Sequence, residues 1–122
     1  NAMKESLFIE QIMVIGDGEK MPAAFIQLNF DFVNDWAKRK EIILGNTIEE
    51  KITNTQLISR IQEEVNLYNK QFGSWEKIKR FELTPDTWSI EAGHLTPTMK
   101  LKRKLIKEKY KGLYNKIYGN NE

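Results

Sequence analysis

Residues 93–104, whose sequence is GHLTPTMKLKRK, join a loop to a basic helix. Pro97 has a fixed φ and disfavours helical backbone at Thr96, so residues 95–98 are predicted to form an extended or turning strap. Beyond the strap, apolar residues recur mostly at three- and four-residue steps, which predicts one amphipathic helix. Lys100 then lies between the strap and the helix, where a long side chain can reach outward.

The basic residues are concentrated in the same part of the chain. Residues 100–116 contain eight lysines or arginines and one acid, Glu108, so this segment carries +7 in a chain of net charge +2. The rest of the chain is therefore acidic, and a basic face of this kind can steer and hold an anionic partner. A solvated helix face is the simpler alternative.

Length and composition indicate one globular domain. The chain has 122 residues, of which 40% are hydrophobic and 30% are charged, ordinary values for a protein that buries a core. It has no cysteine, which excludes disulfides and thiolate metal sites. No apolar run approaches the roughly 20 residues that cross a bilayer. Asn1–Ala2 before Met3 has the character of a tag remnant, so residues 1–3 are set apart from the domain.

Hydrophobic patterning predicts the other elements. Strands are predicted at residues 7–15, 23–28 and 78–83, the first two as an antiparallel hairpin. Helices are predicted at 32–43 with Asn29 or Asp31 as cap and Gly45 as stop, from Asn46 or Thr47, and from Asn54 or Thr55 to Gly73. Trp88 and Ile90 can add an edge segment. The predicted fold class is α+β: a small sheet of about three strands covered by helices, with a basic amphipathic helix at the C terminus.

Two segments resemble one enzyme family. Residues 90–104, IEAGHLTPTMKLKRK, resemble the closing motif of long-chain fatty-acid–CoA ligases, which belong to the adenylate-forming acyl-CoA synthetases. Residues 9–17, IEQIMVIGD, look like the strand that opens the small C-terminal domain of that family. The two matches occur in the right order and at a plausible distance. The resemblance implies that residues 4–118 are this C-terminal domain and that residues 119–122 are a tail.

The resemblance places the family's adenylation lysine on Lys100, two residues after the second threonine of the strap. Joining a carboxylate to the α-phosphate of ATP brings two anions together, and a mobile cation offsets their repulsion. Lys102, Arg103 and Thr98 are weaker candidates for contacts with nucleotide or substrate, and Arg103 can equally share a helical face with Lys100 or dock onto a partner domain. Relatives that activate short acids often carry glycine just before the lysine, whereas Met99 agrees with the long-chain branch.

The other polar residues around the strap receive structural or open roles. Thr96 and Thr98 are predicted to hydrogen-bond to the backbone of the strap itself. His94 is the only histidine; because it has no cysteine or carboxylate pair beside it, it makes a poor metal site and is predicted to be an exposed loop residue. Glu91 is either a surface acid or a residue that orients the strap.

The resemblance implies a mobile lid domain within a larger ATP-dependent ligase. Its partner would be a large N-terminal domain of the same enzyme, and ATP with Mg²⁺, a fatty acid and CoA would be substrates. This chain has no glycine-rich phosphate loop and no room for an acyl tunnel, so it is expected to be inactive alone and to bind no cofactor or metal by itself. The absence of cysteine implies no oxidising compartment and fits a cytoplasmic location, with peripheral membrane contact of the full enzyme left open.

A free-standing binding module is the alternative that the residues leave open. Its basic helix, with Tyr110 and Tyr114 interleaved, would meet RNA, DNA or an anionic membrane. Such binding weakens steeply with salt, with a slope of roughly −0.9 per phosphate contact on duplex DNA. Tyr110 lies on the apolar stripe of the helix, which predicts that it is buried, so no nucleic-acid partner is expected. A domain that only docks another protein is a third reading.

Overall fold

A three-stranded sheet runs through the middle of the domain in the computed structural model, which describes residues 2–119. Its strands are β1 (Ile9–Ile15), β2 (Ala23–Leu28) and β3 (Arg80–Leu83), in the order β1-β2-β3. β1 pairs antiparallel with β2, with Ile15 opposite Ala23, and β2 pairs parallel with β3, with Ile26 opposite Leu83. The predicted hairpin and the predicted third strand are therefore confirmed.

Five α-helices occur in the described residues. They are α1 (Phe30–Arg39), α2 (Ile48–Ile52), α3 (Thr55–Asn69), α4 (Arg103–Lys109) and α5 (Lys111–Tyr118). The first three begin at predicted caps: the side chains of Asn29, Thr47 and Asn54 each accept a hydrogen bond from a backbone amide in the first turn. Short 3₁₀ turns occupy Ala2–Glu5 and Ser74–Glu76. The predicted α+β fold class is confirmed, with a mixed sheet at its centre.

Three predicted helix boundaries were wrong. α1 ends at Arg39 rather than near residue 43, because the chain turns at Glu41, which has a positive φ of 58°. α3 ends at Asn69, four residues before Gly73. The predicted single basic helix is two helices, α4 and α5, because Tyr110 leaves helical geometry (φ −103°, ψ 33°). The segment at Trp88 and Ile90 forms no strand.

The core lies on both faces of the sheet. On one face, side chains of α1 and α3 cover Ile12, Ala24 and Ile26. On the other face, Ile106, Tyr110 and Ile117 from the C-terminal helices pack with Phe25. All six residues of β2 are buried because this strand is covered on both sides. The C-terminal helices are therefore fixed to the sheet by apolar burial, and the loop that leads into them starts from a rigid base.

The ends of the chain bear on the predicted domain limits. Residues 1 and 120–122, which hold part of the predicted tag remnant and most of the predicted tail, lie outside the described residues. Met3, which was set apart with the tag remnant, is buried in the core beside α1 and α3. No helix within residues 2–119 has the length and apolar character needed to cross a membrane.

Candidate functional site: the hairpin that carries Lys100

Lys100 lies at the end of a small hairpin in the loop between β3 and α4. Leu95 and Leu101 form an antiparallel bridge at its base. The amide of Thr96 donates to the carbonyl of Lys100 at 2.8 Å, and the amide of Met99 donates to the carbonyl of Thr96 at 2.7 Å. The predicted strap is thus a closed turn with residues 97–99 at its tip. We call residues 95–101 the Lys100 hairpin.

Thr96 closes this turn a second time through its side chain. Its Oγ1 accepts a hydrogen bond from the amide of Lys100 at 3.0 Å, which confirms that Thr96 bonds to the strap's own backbone. The hydroxyl of Thr98 lies 3.2 Å from the hydroxyl of Thr96 instead of bonding to the main chain, so the prediction for Thr98 was wrong. The backbone of Lys100 is therefore held by two bonds to Thr96, while its side chain remains exposed.

The ammonium group of Lys100 is available to an external partner. Within residues 2–119 it has no hydrogen-bond or ion-pair partner, in contrast to Lys116, which pairs with Glu82 at 3.2 Å. The backbone of Lys100 is fixed and its long side chain is flexible. Its ammonium group can therefore extend far from a backbone whose position is defined.

The other predicted site residues are neighbours of Lys100 in the chain, but their side chains do not meet at one point. Lys102 is exposed and precedes α4. The guanidinium of Arg103 donates to the carbonyl of Val14 in β1, which ties α4 to the sheet. Lys100 precedes the helix, so it does not share a helical face with Arg103. Arg103 instead lines a cleft of about 590 Å³ with Lys104, Lys107, Lys111 and residues of the β1–β2 turn.

Met99 has a left-handed backbone, with φ 66°. Three-residue hairpin loops commonly need this conformation at their last residue, and glycine adopts it without steric cost. The Met99 side chain is 58% exposed, so burial compensates little for the strain. The geometry therefore gives a physical reason for a glycine just before the lysine, the residue that the short-acid relatives often carry.

Replacing Met99 with glycine is expected to raise the free energy of unfolding by up to about 1 kcal/mol, because the relief of left-handed strain exceeds the added chain entropy. Met99→Val is expected to lower it by about 1 kcal/mol, since a β-branched residue fits a positive φ poorly. Urea unfolding of the chain measures both changes. Lys77→Gly is the control: Lys77 has a negative φ of −73°, so glycine relieves no strain there and should lower the free energy of unfolding. A destabilised Met99→Gly variant would contradict the strain argument.

His94 is where the structure departs most from the sequence-based prediction. The residue was predicted to be exposed, but it is fully buried. Its ring stacks on Trp88 with centroids 6.1 Å apart, and its Nδ1 accepts a hydrogen bond from the amide of Ser89 at 3.2 Å. Burial, and then the positive charge of Lys109, lower the pKa of His94 from its ordinary 6.5, while Asp86 acts in the opposite direction. The prediction failed because Trp88 and Lys109 reach the ring from separate segments.

A polar network continues from His94 beneath the Lys100 hairpin. Nε2 of His94 lies 2.9 Å from Nζ of Lys109, which pairs with Asp86 at 3.6 Å. Asp86 also accepts a hydrogen bond from the hydroxyl of Tyr110 at 2.9 Å, and that hydroxyl accepts one from Trp88 Nε1 at 3.1 Å. Burial and the bond to Asp86 raise the pKa of Tyr110 well above its ordinary value. No sequence pattern indicated this network, because each member alone has the character of a core or surface residue.

The remaining features of the site are simpler. Tyr110 is buried, as its position on the apolar stripe predicted. Glu91 is exposed, which fits a surface acid. The described part of the chain contains no group of three or more histidine, cysteine or acidic residues that could hold a metal ion.

Comparison with known proteins gives matches over most of the chain. No protein-family model matches it. The chain is 31% identical over 112 residues to a long-chain-fatty-acid–CoA ligase of Mycobacterium tuberculosis, covering 88% of the chain and 19% of that relative. It is 29% identical over 113 residues to long-chain-fatty-acid–CoA ligase 6 of Homo sapiens, covering 90% of the chain and 16% of that relative. The chain thus spans less than a fifth of the length of these curated relatives.

A solved structure shares the fold. The adenylation domain of a carboxylate reductase from Mycobacterium chelonae superposes with a TM-score of 0.71 at 20% sequence identity, covering 97% of this chain and 17% of that one. At this level of identity the match shows the architecture alone.

Proposed function

We propose that this chain, which is homologous to a short segment of long-chain fatty-acid–CoA ligases, is the mobile C-terminal domain of such an enzyme and supplies its adenylation lysine. The observation that carries the proposal is Lys100: its backbone is fixed by a closed hairpin while its ammonium group has no partner in the described residues. A cation presented in this way is suited to a site on another domain.

The chemistry that Lys100 would serve is the first half-reaction. A fatty-acid carboxylate oxygen attacks the α-phosphorus of ATP, acyl-AMP forms and pyrophosphate leaves. Negative charge builds on the α-phosphate oxygens during this attack, and an ammonium group aimed at them stabilises the transition state where water is excluded. ATP with Mg²⁺ and the fatty acid would be held by the large N-terminal domain, which this chain would cover.

The second half-reaction would use the same domain in another orientation. The CoA thiol attacks the acyl carbonyl of acyl-AMP, and AMP leaves. Thr98 and Lys102 are exposed beside Lys100, so we assign them contacts with nucleotide or substrate. Arg103 is bound to Val14, so its role is to hold α4 in place and to line the surface that docks onto the larger domain.

The binding-module alternative has less support from the described residues. Stacking on nucleic-acid bases needs free aromatic faces. Tyr110 is buried, and the hydroxyl of Tyr114 donates to Glu19 at 2.6 Å, which helps to raise its pKa to about 12. The ring of Tyr114 also packs against Tyr118, with centroids 4.8 Å apart, and Nζ of Lys107 lies 5.1 Å from its centroid, so both rings make contacts within the domain. The basic residues remain, but they suit ATP, CoA or an acidic face of the partner domain equally well.

The test is to compare three proteins: the complete gene product that contains this chain, the same product without residues 4–118, and the isolated chain. The complete product is expected to exchange pyrophosphate into ATP in the presence of a long-chain fatty acid and to form acyl-CoA. The other two are expected to do neither, because each lacks half of the site. Undiminished activity after deletion of residues 4–118 would refute the proposal, as would steeply salt-dependent binding of duplex DNA by the isolated chain.

A further inference from the structure

The base of the Lys100 hairpin is built on the main chain of His94. The amide of His94 donates to the carbonyl of Ser89 at 3.0 Å, and the carbonyl of His94 accepts from the amide of Lys102 at 2.8 Å. These bonds lie directly below the Leu95–Leu101 bridge. The two strands of the hairpin therefore meet at His94, whose side chain points into the core.

We propose that His94 is a positioning residue for Lys100: its neutral imidazole fixes the base of the hairpin, and protonation of the ring loosens it. This inference rests on the proposed function of Lys100. His94 itself does not reach the substrate, since it is fully buried.

The neutral His94 ring has fewer acceptors than there are donors facing it. A neutral imidazole offers one lone pair, and an imidazolium offers none. Two donors face the ring, the amide of Ser89 at Nδ1 and the ammonium of Lys109 at Nε2. Lys109 has a second partner in Asp86, whereas the Ser89 amide has no other acceptor in the described part of the chain. The one lone pair can serve only one of these donors: on Nδ1 it accepts from Ser89, and on Nε2 it accepts from Lys109. In either tautomer a second ring proton removes the acceptor, so an imidazolium turns an N–H toward both donors.

The charge around the His94 ring also opposes its protonation. The charged groups that face it are Lys109 from α4 and Asp86 from the loop after β3, and Tyr110 is linked to it through Asp86. An imidazolium would place a second cation 2.9 Å from Nζ of Lys109. Burial and Lys109 outweigh Asp86 and the hydrogen bond with the Ser89 backbone, both of which raise the pKa, so the pKa of His94 lies below 6.5 in the folded chain.

The lowered pKa of His94 sets the direction in which the stability of the folded chain changes with pH. Because the folded pKa is lower than the unfolded pKa, the unfolded chain binds the extra proton first as the pH falls. The stability contributed by neutral His94 is complete above about pH 6.5 and decreases below it, down to the lowered pKa of the folded state. Lys100 should lose its fixed backbone over the lower part of this range, where the folded ring itself becomes charged.

The experiment measures amide hydrogen exchange of the isolated chain by NMR. His94→Leu keeps an apolar volume but removes the acceptor, and it is expected to raise exchange at Thr96 and Lys102 by about tenfold or more while Ile61 and Val65 in α3 exchange as before. His94→Gln keeps a side-chain acceptor and is expected to recover part of the protection. Ile117→Val, a change in the core cluster that contains Trp88, is the control and should leave hairpin exchange unchanged.

A pH series separates positioning from simple packing. After correction for intrinsic exchange, the wild-type hairpin is expected to lose protection as the pH falls through the pKa of the folded His94 ring, which lies below 6.5, in step with titration of the His94 ring protons. The His94→Leu variant should show no such transition. An unchanged hairpin in His94→Leu, or a transition that persists there, overturns the proposal. If His94→Leu does not fold, the wild-type titration and His94→Gln decide the matter by the same criteria.

An activity measurement in the complete enzyme connects the hairpin to Lys100. His94→Leu is expected to reduce the kcat of acyl-AMP formation by about tenfold, with little change in the KM for ATP, because misplacement of a catalytic group acts mainly on kcat. A loosened hairpin with unchanged acyl-AMP formation overturns the link to Lys100. If Lys100→Ala also leaves acyl-AMP formation intact, the proposed function fails as well, so the two failures are distinguishable.

Discussion

Lys100→Ala in the complete enzyme is expected to reduce acyl-AMP formation from ATP and fatty acid by about 10²–10³-fold, the range typical for loss of one donor to a developing anion. Thioester formation from supplied acyl-AMP and CoA should change little, because the domain would then be in its other orientation, in which Lys100 does not face the α-phosphate. The ammonium group of Lys100 has no partner within residues 2–119. Its removal therefore disturbs no contact that holds the domain together.

The matched control is Lys38→Ala. Lys38 is also an exposed lysine, but it lies on α1 and has no role at the proposed site. The domain should fold equally well, and acyl-AMP formation should change little. Survival of both half-reactions in Lys100→Ala would make Lys100 an ordinary member of the basic face and would reopen the binding-module reading.

Local signals in the sequence were sufficient for the elements that depend on local chemistry. The caps Asn29, Thr47 and Asn54 and the β1–β2 hairpin were predicted because side-chain caps and short turns are properties of neighbouring residues. The strap was predicted because Pro97 restricts both itself and the residue before it. Lys100 was singled out by the family resemblance. Its backbone is held where the strap closes.

Features set by distant contacts were missed. The break at Tyr110 coincides with packing of its ring on Phe25, with centroids 5.6 Å apart, a contact that the helical periodicity of the sequence does not indicate. In the sequence, Asn69 is an ordinary polar residue near the end of a predicted helix. In the structure, its buried side-chain amide accepts a hydrogen bond from the N–H of Ile78 at 2.9 Å and donates one to the C=O of Ile78 at 2.8 Å. His94 was missed for the same reason, since its burial depends on Trp88 and Lys109. Polar residues in a core are recognised by their partners, and partners far apart in sequence give no periodic signal.

Phe25→Ala is expected to lower the free energy of unfolding by about 3–5 kcal/mol, the usual cost of truncating a buried phenylalanine. Phe25 lies in the middle of β2, the strand covered on both faces, and it is fully buried. Truncation leaves a cavity between the sheet and the C-terminal helices, where neighbours can close in only partly. Domains of this size are often stable by only about 5–15 kcal/mol, so the loss is a large fraction of the total.

Urea unfolding followed by tryptophan fluorescence measures this loss, since Trp88 is buried in the same cluster. Leu67→Ala is the control: Leu67 lies on α3 and is 57% exposed, so its truncation should change stability by no more than about 0.5 kcal/mol. Because the cluster around Phe25 also holds Tyr110, Phe25→Ala should additionally raise amide exchange at Tyr114, whose amide bonds to the Tyr110 carbonyl at 2.9 Å. A cost below about 1 kcal/mol would mean that the C-terminal helices are not fixed to the sheet by this core. The movement that carries Lys100 would then be a movement of these helices within the domain, rather than of the whole domain relative to another.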